Sequence, residues 1–280
     1  MISPSTLAEL MNIFQEKSWP MNNSPYSCFN KYCNTLDLLD LEEQRLFLDI
    51  TRRFIHINQP LYCQHAAKAI TKLLLRYPDV KTYYVSTLTP EKDEGDPSKS
   101  ACQVLYLFKG NTLKNAIDIK GVRFQVIANL NRYNTQLTSL KPDERILLVD
   151  DFMGTGETAV DAVAFFGKKV KFIPENKITI FTIVAHKIGC NFIESSDVDI
   201  VFSEYVECGI SDYYKEEDLK NAVMTMTKIE DRLVASKCRK LHKKFRFGYE
   251  HSEALVCMER CPNNTFPIYW LPINSPYERS

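Results

Sequence analysis

The chain carries no net charge. Thirty-five basic residues balance 35 acidic ones among 280, which excludes a global polyelectrolyte attraction to nucleic acid and leaves such contacts to local patches. Long apolar runs are also missing: none reaches the roughly 18–20 residues that span a bilayer. The opening Met1-Ile-Ser-Pro-Ser-Thr-Leu has no basic stretch leading into an apolar one, so a soluble, cytoplasmic protein without a membrane partner is expected. The nine cysteines include no C-x-x-C pair, the closest being Cys28 with Cys33 and Cys257 with Cys261. A disulfide framework is therefore not indicated, and reduced thiols are the default reading over a zinc site. What the chain does have is an ordinary apolar fraction and enough length for one large domain, or for a main domain with a satellite.

Helical periodicity comes first and strands later. Leu46, Phe47, Ile50, Phe54 and Ile57 recur at helical spacing, and a second segment from Leu61 to Leu75 does the same after Pro60. These define an N-terminal helical module over 1–78, either a packing element or a winged-helix or helix-turn-helix unit that would touch DNA. Strands are then expected at Val80–Val85, Val122–Ala128, Ile146–Val149, Ile178–Ala185 and Val198–Phe202, with helices between most of them. Such alternation predicts a parallel α/β sheet over 79–206 with ligands at the carboxyl ends of its strands. A long helix from Glu216 and a cap make up 207–280.

The most informative stretch is Arg145-Ile-Leu-Leu-Val-Asp-Asp-Phe-Met-Gly-Thr-Gly-Glu-Thr158. Four apolar residues without polar alternation read as a strand covered on both faces, and they run straight into two acids and a glycine-threonine turn before a helix. Gly154 and Gly156 let the backbone turn tightly and present N–H groups, and the helix start adds a positive dipole end, so an anion such as a phosphate is favoured there. Thr155 and Thr158 add hydroxyl donors. Asp150 and Asp151 are suited to accept hydrogen bonds from a vicinal diol such as that of ribose. Two other readings use the same letters. Gly154 to Ala159 also fits the dinucleotide pattern G-x-G-x-x-A, but carboxylates at the strand end would repel a pyrophosphate and no acid ends the next strand at His186. The other is an ordinary strand-to-helix turn.

Val-Asp-Asp-Phe-Met-Gly-Thr-Gly-Glu-Thr resembles the phosphoribosyl-diphosphate (PRPP) loop of type I phosphoribosyltransferases. The resemblance implies a five-stranded parallel sheet flanked by helices, a ribose diol held by Asp150 and Asp151, and a 5′-phosphate wrapped by Gly154, Thr155, Gly156, Glu157 (through its backbone) and Thr158. It also implies Mg²⁺ as cofactor. By position, Ser98, Lys99 and Ser100 are candidates for diphosphate contacts, and Arg132 or Lys141 for a closing loop. Where members that salvage 6-oxopurines carry an acid acting on the base, this chain has Gly154, which argues against that substrate.

Six of the ten residues from 237 to 246 are basic: Lys237, Arg239, Lys240, Lys243, Lys244 and Arg246. They read as a solvated helix end or as a nucleic-acid contact. The following Arg246–Trp270 segment is rich in turn formers and aromatics. It resembles the C-terminal signature of phosphoribosyltransferase-like effectors of bacterial conflict systems, including those encoded beside retron reverse transcriptases. That resemblance implies an enzyme acting on PRPP or a nucleotide-like compound as the toxin of an antiviral defence system, with a reverse transcriptase and its RNA–DNA product as partner. The alternative is a PRPP- or nucleotide-sensing DNA-binding regulator without turnover.

Overall fold

Strand and helix alternation begins only after three helices. The computed structural model describes residues 2–22, 24–94, 96, 98–116, 121–127, 137, 140–170, 174–194, 196–233, 239–271 and 275–277. In chain order the elements are α1 (Pro4–Glu16), α2 (Cys28–Asp37), α3 (Leu41–Arg53), β1 (Ile55–His56), α4 (Gln59–Arg76), β2 (Thr82–Thr87), α5 (Ser100–Lys109), α6 (Asn111–Ala116), β3 (Arg123–Val126) and β4 (Glu144–Met153). There follow α7 (Glu157–Lys169), β5 (Ile178–His186), α8 (Lys187–Ile193), β6 (Asp199–Val206), α9 (Glu216–Leu233), α10 (Arg239–Phe245) and β7 (Val256–Cys257). Helix starts follow capping chemistry: Ser3, Ser27 and Asp40 each accept a backbone N–H of the first turn, and Asp40 forms a reciprocal capping box with Glu43.

The chain forms two compact units, 58–206 and 1–57 with 207–280. This departs from the three consecutive segments 1–78, 79–206 and 207–280. Helix α4, grouped by spacing with the N-terminal helices, belongs with the sheet, and the C-terminal segment folds with the N-terminal helices. Periodicity shows that a helix has a buried face but not what buries it.

In the unit of 58–206, five parallel strands stand in the order β3-β2-β4-β5-β6, the parallel five-stranded α/β sheet expected. Ile146, Leu147, Leu148 and Val149 are completely buried at its centre, and every residue of β5 is buried, as befits strands covered on both faces. Helix α4 packs on β5 and β6 through Tyr62, Ala66, Ala69, Ile70 and Leu73. Its polar side covers the open edge of β6: Lys72 Nζ donates to the carbonyls of Phe202 (3.0 Å) and Ser203 (2.9 Å), and Arg76 to that of Ile200 (2.9 Å). An exposed strand edge is thereby blocked against pairing. At the amino end of the sheet Arg145 lies over the Tyr77 ring at 3.8 Å and bonds Thr179 Oγ1 (2.7 Å) and Asp199 (3.1 Å), leaving the carboxyl end for a ligand.

The chain goes from β2 outward to β3 and then back across to β4. The crossing direction therefore reverses between β2 and β4, and the crevice at their carboxyl ends is where open α/β sheets bind ligands.

The second unit packs α1, α2, α3 and α9 around aromatic side chains, among them Phe14, Tyr32, Phe47, Phe54 and Tyr269. A two-stranded parallel sheet pairs Ile55 with Val256 and His56 with Cys257. Glu253, buried, accepts hydrogen bonds from Ile210 N (2.8 Å), Ser211 N (2.7 Å) and Ser211 Oγ (2.6 Å). Its carboxylate thus holds the 209–211 turn and is committed to structure. Among the described residues no helix is long and apolar enough to cross a membrane.

Candidate ribose-phosphate site

Strand β4 runs further than the apolar run suggests. Ladder pairing continues from Asp150 opposite Thr182 to Phe152 opposite Val184 and Met153 opposite Ala185, so both acids are strand residues and the turn begins only at Gly154. Residues 150 and 151 point to opposite sides of an ideal strand, and they find different partners. Ser100 Oγ, at the first residue of α5, donates to Asp150 Oδ1 at 2.8 Å, and the Asp151 N–H donates to the same oxygen at 2.8 Å. On the other side the Tyr62 hydroxyl, from the first turn of α4, donates to Asp151 Oδ2 at 2.7 Å.

Asp151 is buried, whereas Asp150 keeps some exposed surface although its carboxyl lies deep in the crevice. That enclosure, and next the charge of Asp151, push the Asp150 carboxyl well above the usual carboxylate range, against the opposing pull of the Ser100 hydrogen bond. Among the described residues no ion pair to a basic side chain is formed by either acid, and acids held side by side at a strand end in this way are a feature of sites that bind something, not of cores.

After Met153 the chain turns through Gly154, Thr155 and Gly156 into α7. Gly156 has φ +89°, the left-handed region that favours glycine, and it starts α7 without a side-chain cap. The first-turn amides of a 13-residue helix therefore face the turn. Thr155 is half-buried, and Glu157 and Thr158 are exposed, so the loop presents backbone and hydroxyl groups rather than packing inward.

The turn rests on α8. A Cβ built on Gly189 would collide with the Gly154 carbonyl oxygen and would lie 3.1 Å from Met153 Cε and 3.2 Å from Gly156 N. Conversely, one on Gly156 would meet Phe192 Cδ1 at 3.1 Å and Gly189 Cα at 3.2 Å. Two glycines thus let the loop and the helix after β5 lie backbone against backbone.

The residues named by pattern divide. Asp150, Asp151, Gly154, Thr155, Gly156, Glu157 and Thr158 fall together at the end of β4 and the start of α7. Ser98 instead bonds Asp96 Oδ1 through its N–H (2.9 Å) and Oγ (2.7 Å), and Lys99 pairs with Asp93 at 3.1 Å, so both are engaged within their own loop. Lys141 donates its N–H to Glu144 at 2.9 Å. Arg132 and Lys237 lie outside the described residues, as does the side chain of Arg239. Of the basic run, Arg246 is paired with Asp231 (2.6 Å) and Glu230 (3.7 Å), while Lys240, Lys243 and Lys244 are exposed.

Tyr62 and Gly189 escaped the pattern. Tyr62 sits on a helical stripe with Ala66, Ala69 and Ile70 and reads as core; Gly189 has only its place three residues past a strand end as a sign.

Cofactor fit can be judged from the donor set. Among the described residues no group of three or more His, Cys, Asp or Glu side chains could hold a metal ion by itself. Magnesium, however, is usually bound through one or two carboxylates plus substrate oxygens, and Asp150 with Asp151 supplies that pair.

The sequence profile of the family described as PRTase-CE matches residues 32–278. Among curated proteins no relative matches the chain. The profile match spans both units, and the parallel sheet in the order β3-β2-β4-β5-β6 agrees with a phosphoribosyltransferase-like fold. With most of its length matched, the chain belongs to the PRTase-CE family and is phosphoribosyltransferase-like.

Proposed function

We propose that the unit of 58–206 binds PRPP, or a related ribose 5-phosphate compound, together with Mg²⁺ and acts at the anomeric carbon. The observation that carries this reading is the junction of Asp150 and Asp151 with the Gly154–Thr158 turn at the carboxyl end of the central strand, on the crevice where the sheet reverses direction. In this reading the acids accept hydrogen bonds from the 2′ and 3′ hydroxyls, while the turn and the start of α7 take the 5′-phosphate. Asp150 and Asp151 would hold a magnesium ion, which would supply neutralisation of the departing diphosphate.

The chain's own groups hold the sugar and do not attack it. The bond between C1 and the diphosphate oxygen breaks, the diphosphate leaves with the electron pair, and an acceptor nitrogen or oxygen forms the new bond to C1 and releases its proton to solvent. Fixing both ends of the ribose restricts the reactants to that geometry and places positive charge developing at C1 near the acids. Transfer to a base and hydrolysis by water share this step. We further propose that the activity serves as the toxic effector of a bacterial antiviral system, restrained by a reverse transcriptase with its RNA–DNA product. The support for that role is the likeness of the Arg246–Trp270 segment to such effectors.

Isothermal titration with PRPP and Mg²⁺, run beside an assay of diphosphate release, tests the proposal. Binding with release supports the enzyme. Binding without release replaces it with a ligand-sensing regulator, and absence of both refutes the ribose-phosphate site.

A further inference from the structure

The aspartate pair is gripped from two sides by hydroxyl groups that no motif contains. Tyr62 is 1% exposed, and its hydroxyl reaches Asp151 Oδ2 at 2.7 Å across 89 residues of sequence. Ser100 reaches Asp150 Oδ1 at 2.8 Å across 50. Each donor is borne by a helix: Tyr62 by the first turn of α4, whose stripe of Ala66, Ala69, Ile70 and Leu73 is buried, and Ser100 by the start of α5, where Ala101, Val104 and Leu105 are buried. Neither donor is therefore free to follow a moving carboxylate. Each fixes one oxygen of its partner, and with it the rotation of the carboxylate plane.

We propose that Tyr62 and Ser100 are positioning residues that set the two carboxylates for a cis-diol, and so make the site selective for ribose over 2-deoxyribose phosphates. The inference rests on the ribose-phosphate reading above. Its physical basis is the one-sidedness of hydrogen-bond accounting. A carboxylate held in place for two hydroxyls loses a partner when the ligand has only one, and a buried acceptor left unpaired is costly. A carboxylate that can rotate re-pairs and discriminates less. Selectivity for the second hydroxyl therefore depends on what holds the acids as well as on the acids themselves.

Ribose 5-phosphate and 2-deoxyribose 5-phosphate serve as probes, titrated into the full chain and into Tyr62→Phe, Ser100→Ala and Ser100→Thr variants. Thermal unfolding of each is recorded alongside. Wild type is expected to prefer the ribose compound, Tyr62→Phe and Ser100→Ala to reduce that preference about tenfold through the ribose arm, and Ser100→Thr, which keeps the hydroxyl, to restore it. Loss of affinity for both sugars by the same factor marks a structural role and overturns the inference. So does an unchanged preference in Tyr62→Phe and Ser100→Ala. If wild type binds neither sugar phosphate, the ribose-phosphate reading fails and the inference falls with it. A Tyr62→Phe chain that does not fold leaves the decision to the Ser100 pair, whose side chains differ only slightly in size.

Discussion

Gly189→Ala is the perturbation to which the site is most sensitive per atom added. The new methyl group would have to occupy space already filled by the Gly154 carbonyl, with Met153 Cε at 3.1 Å and Gly156 N at 3.2 Å. Met153 is a flexible side chain and can turn away. The other two atoms belong to backbone, and Gly156 is itself pinned at φ +89° with Phe192 Cδ1 and Gly189 Cα against it. Relief must come from moving the turn as a body, because packed interiors do not absorb a methyl group by local compression. Overpacking of this kind costs about 1–3 kcal/mol, a lowering of roughly 2–12 °C in midpoint for a domain of this size.

The binding effect should be larger than the stability effect. In the proposed site the turn's amides take one phosphate and would lose several hydrogen bonds when displaced, so we expect at least a tenfold loss of PRPP affinity by calorimetry. Gly167→Ala is the control: nothing lies within 4 Å of its added methyl, it sits inside α7, and the change should stabilise by about 0.5–1 kcal/mol with binding untouched. If Gly189→Ala binds PRPP as wild type does and melts at the same temperature, the backbone-on-backbone packing argued for the turn is wrong.

Four further outcomes follow from the same structure. Asp150→Asn should stabilise the fold while abolishing ribose-phosphate binding, because a raised carboxyl takes up protons on folding: the destabilisation is absent below the ordinary value of 3.8 and develops as pH rises above it. Wild-type and variant midpoints that stay parallel from pH 3 to 7 would contradict this. Thr155→Val, which keeps the shape and removes one hydroxyl, should weaken phosphate binding by about 1–2 kcal/mol, read by the same titration. Replacing Lys240, Lys243 and Lys244 by Gln should leave the melting midpoint unchanged and flatten the salt dependence of any nucleic-acid binding. Arg246→Gln should lower the midpoint instead, since Glu230 is fully buried beside it.

The sheet was legible because its signals are local. The β-branched and apolar runs of β4 and β5, buried on both faces, can be read without knowing their neighbours, and alternation with helices implies parallel pairing. The small sheet of β1 and β7 was not. It has two residues per strand, paired between positions 55 and 256, and such a length carries no periodicity. Helix α1 and helix α2 left signs that periodicity from Leu46 onward passes over, namely Ser3 before a proline and Ser27 at an N-cap.

At the site, the limit of the motif lies in what chemistry each residue performs. Groups proposed to meet the ligand through backbone and acid, such as Asp150 and Gly156, must occur in a fixed order on one turn, because a strand end and a helix start are joined there by only three residues, 154–156. Order on that scale is visible in a sequence. Groups that hold those residues in place answer to no such order. Tyr62 reaches Asp151 from another helix, and any element passing at hydrogen-bond distance could have supplied the hydroxyl. Gly189 contributes by lacking atoms, and one glycine in a helix tells nothing until the backbone it touches is known. The end of β4 shows the consequence. Two acids would ordinarily mark the point where a buried strand stops, yet the ladder runs on to Met153 opposite Ala185. Hydroxyls from two helices and the Asp151 N–H satisfy the carboxylates there, so the strand can carry them into the crevice without breaking its pairing.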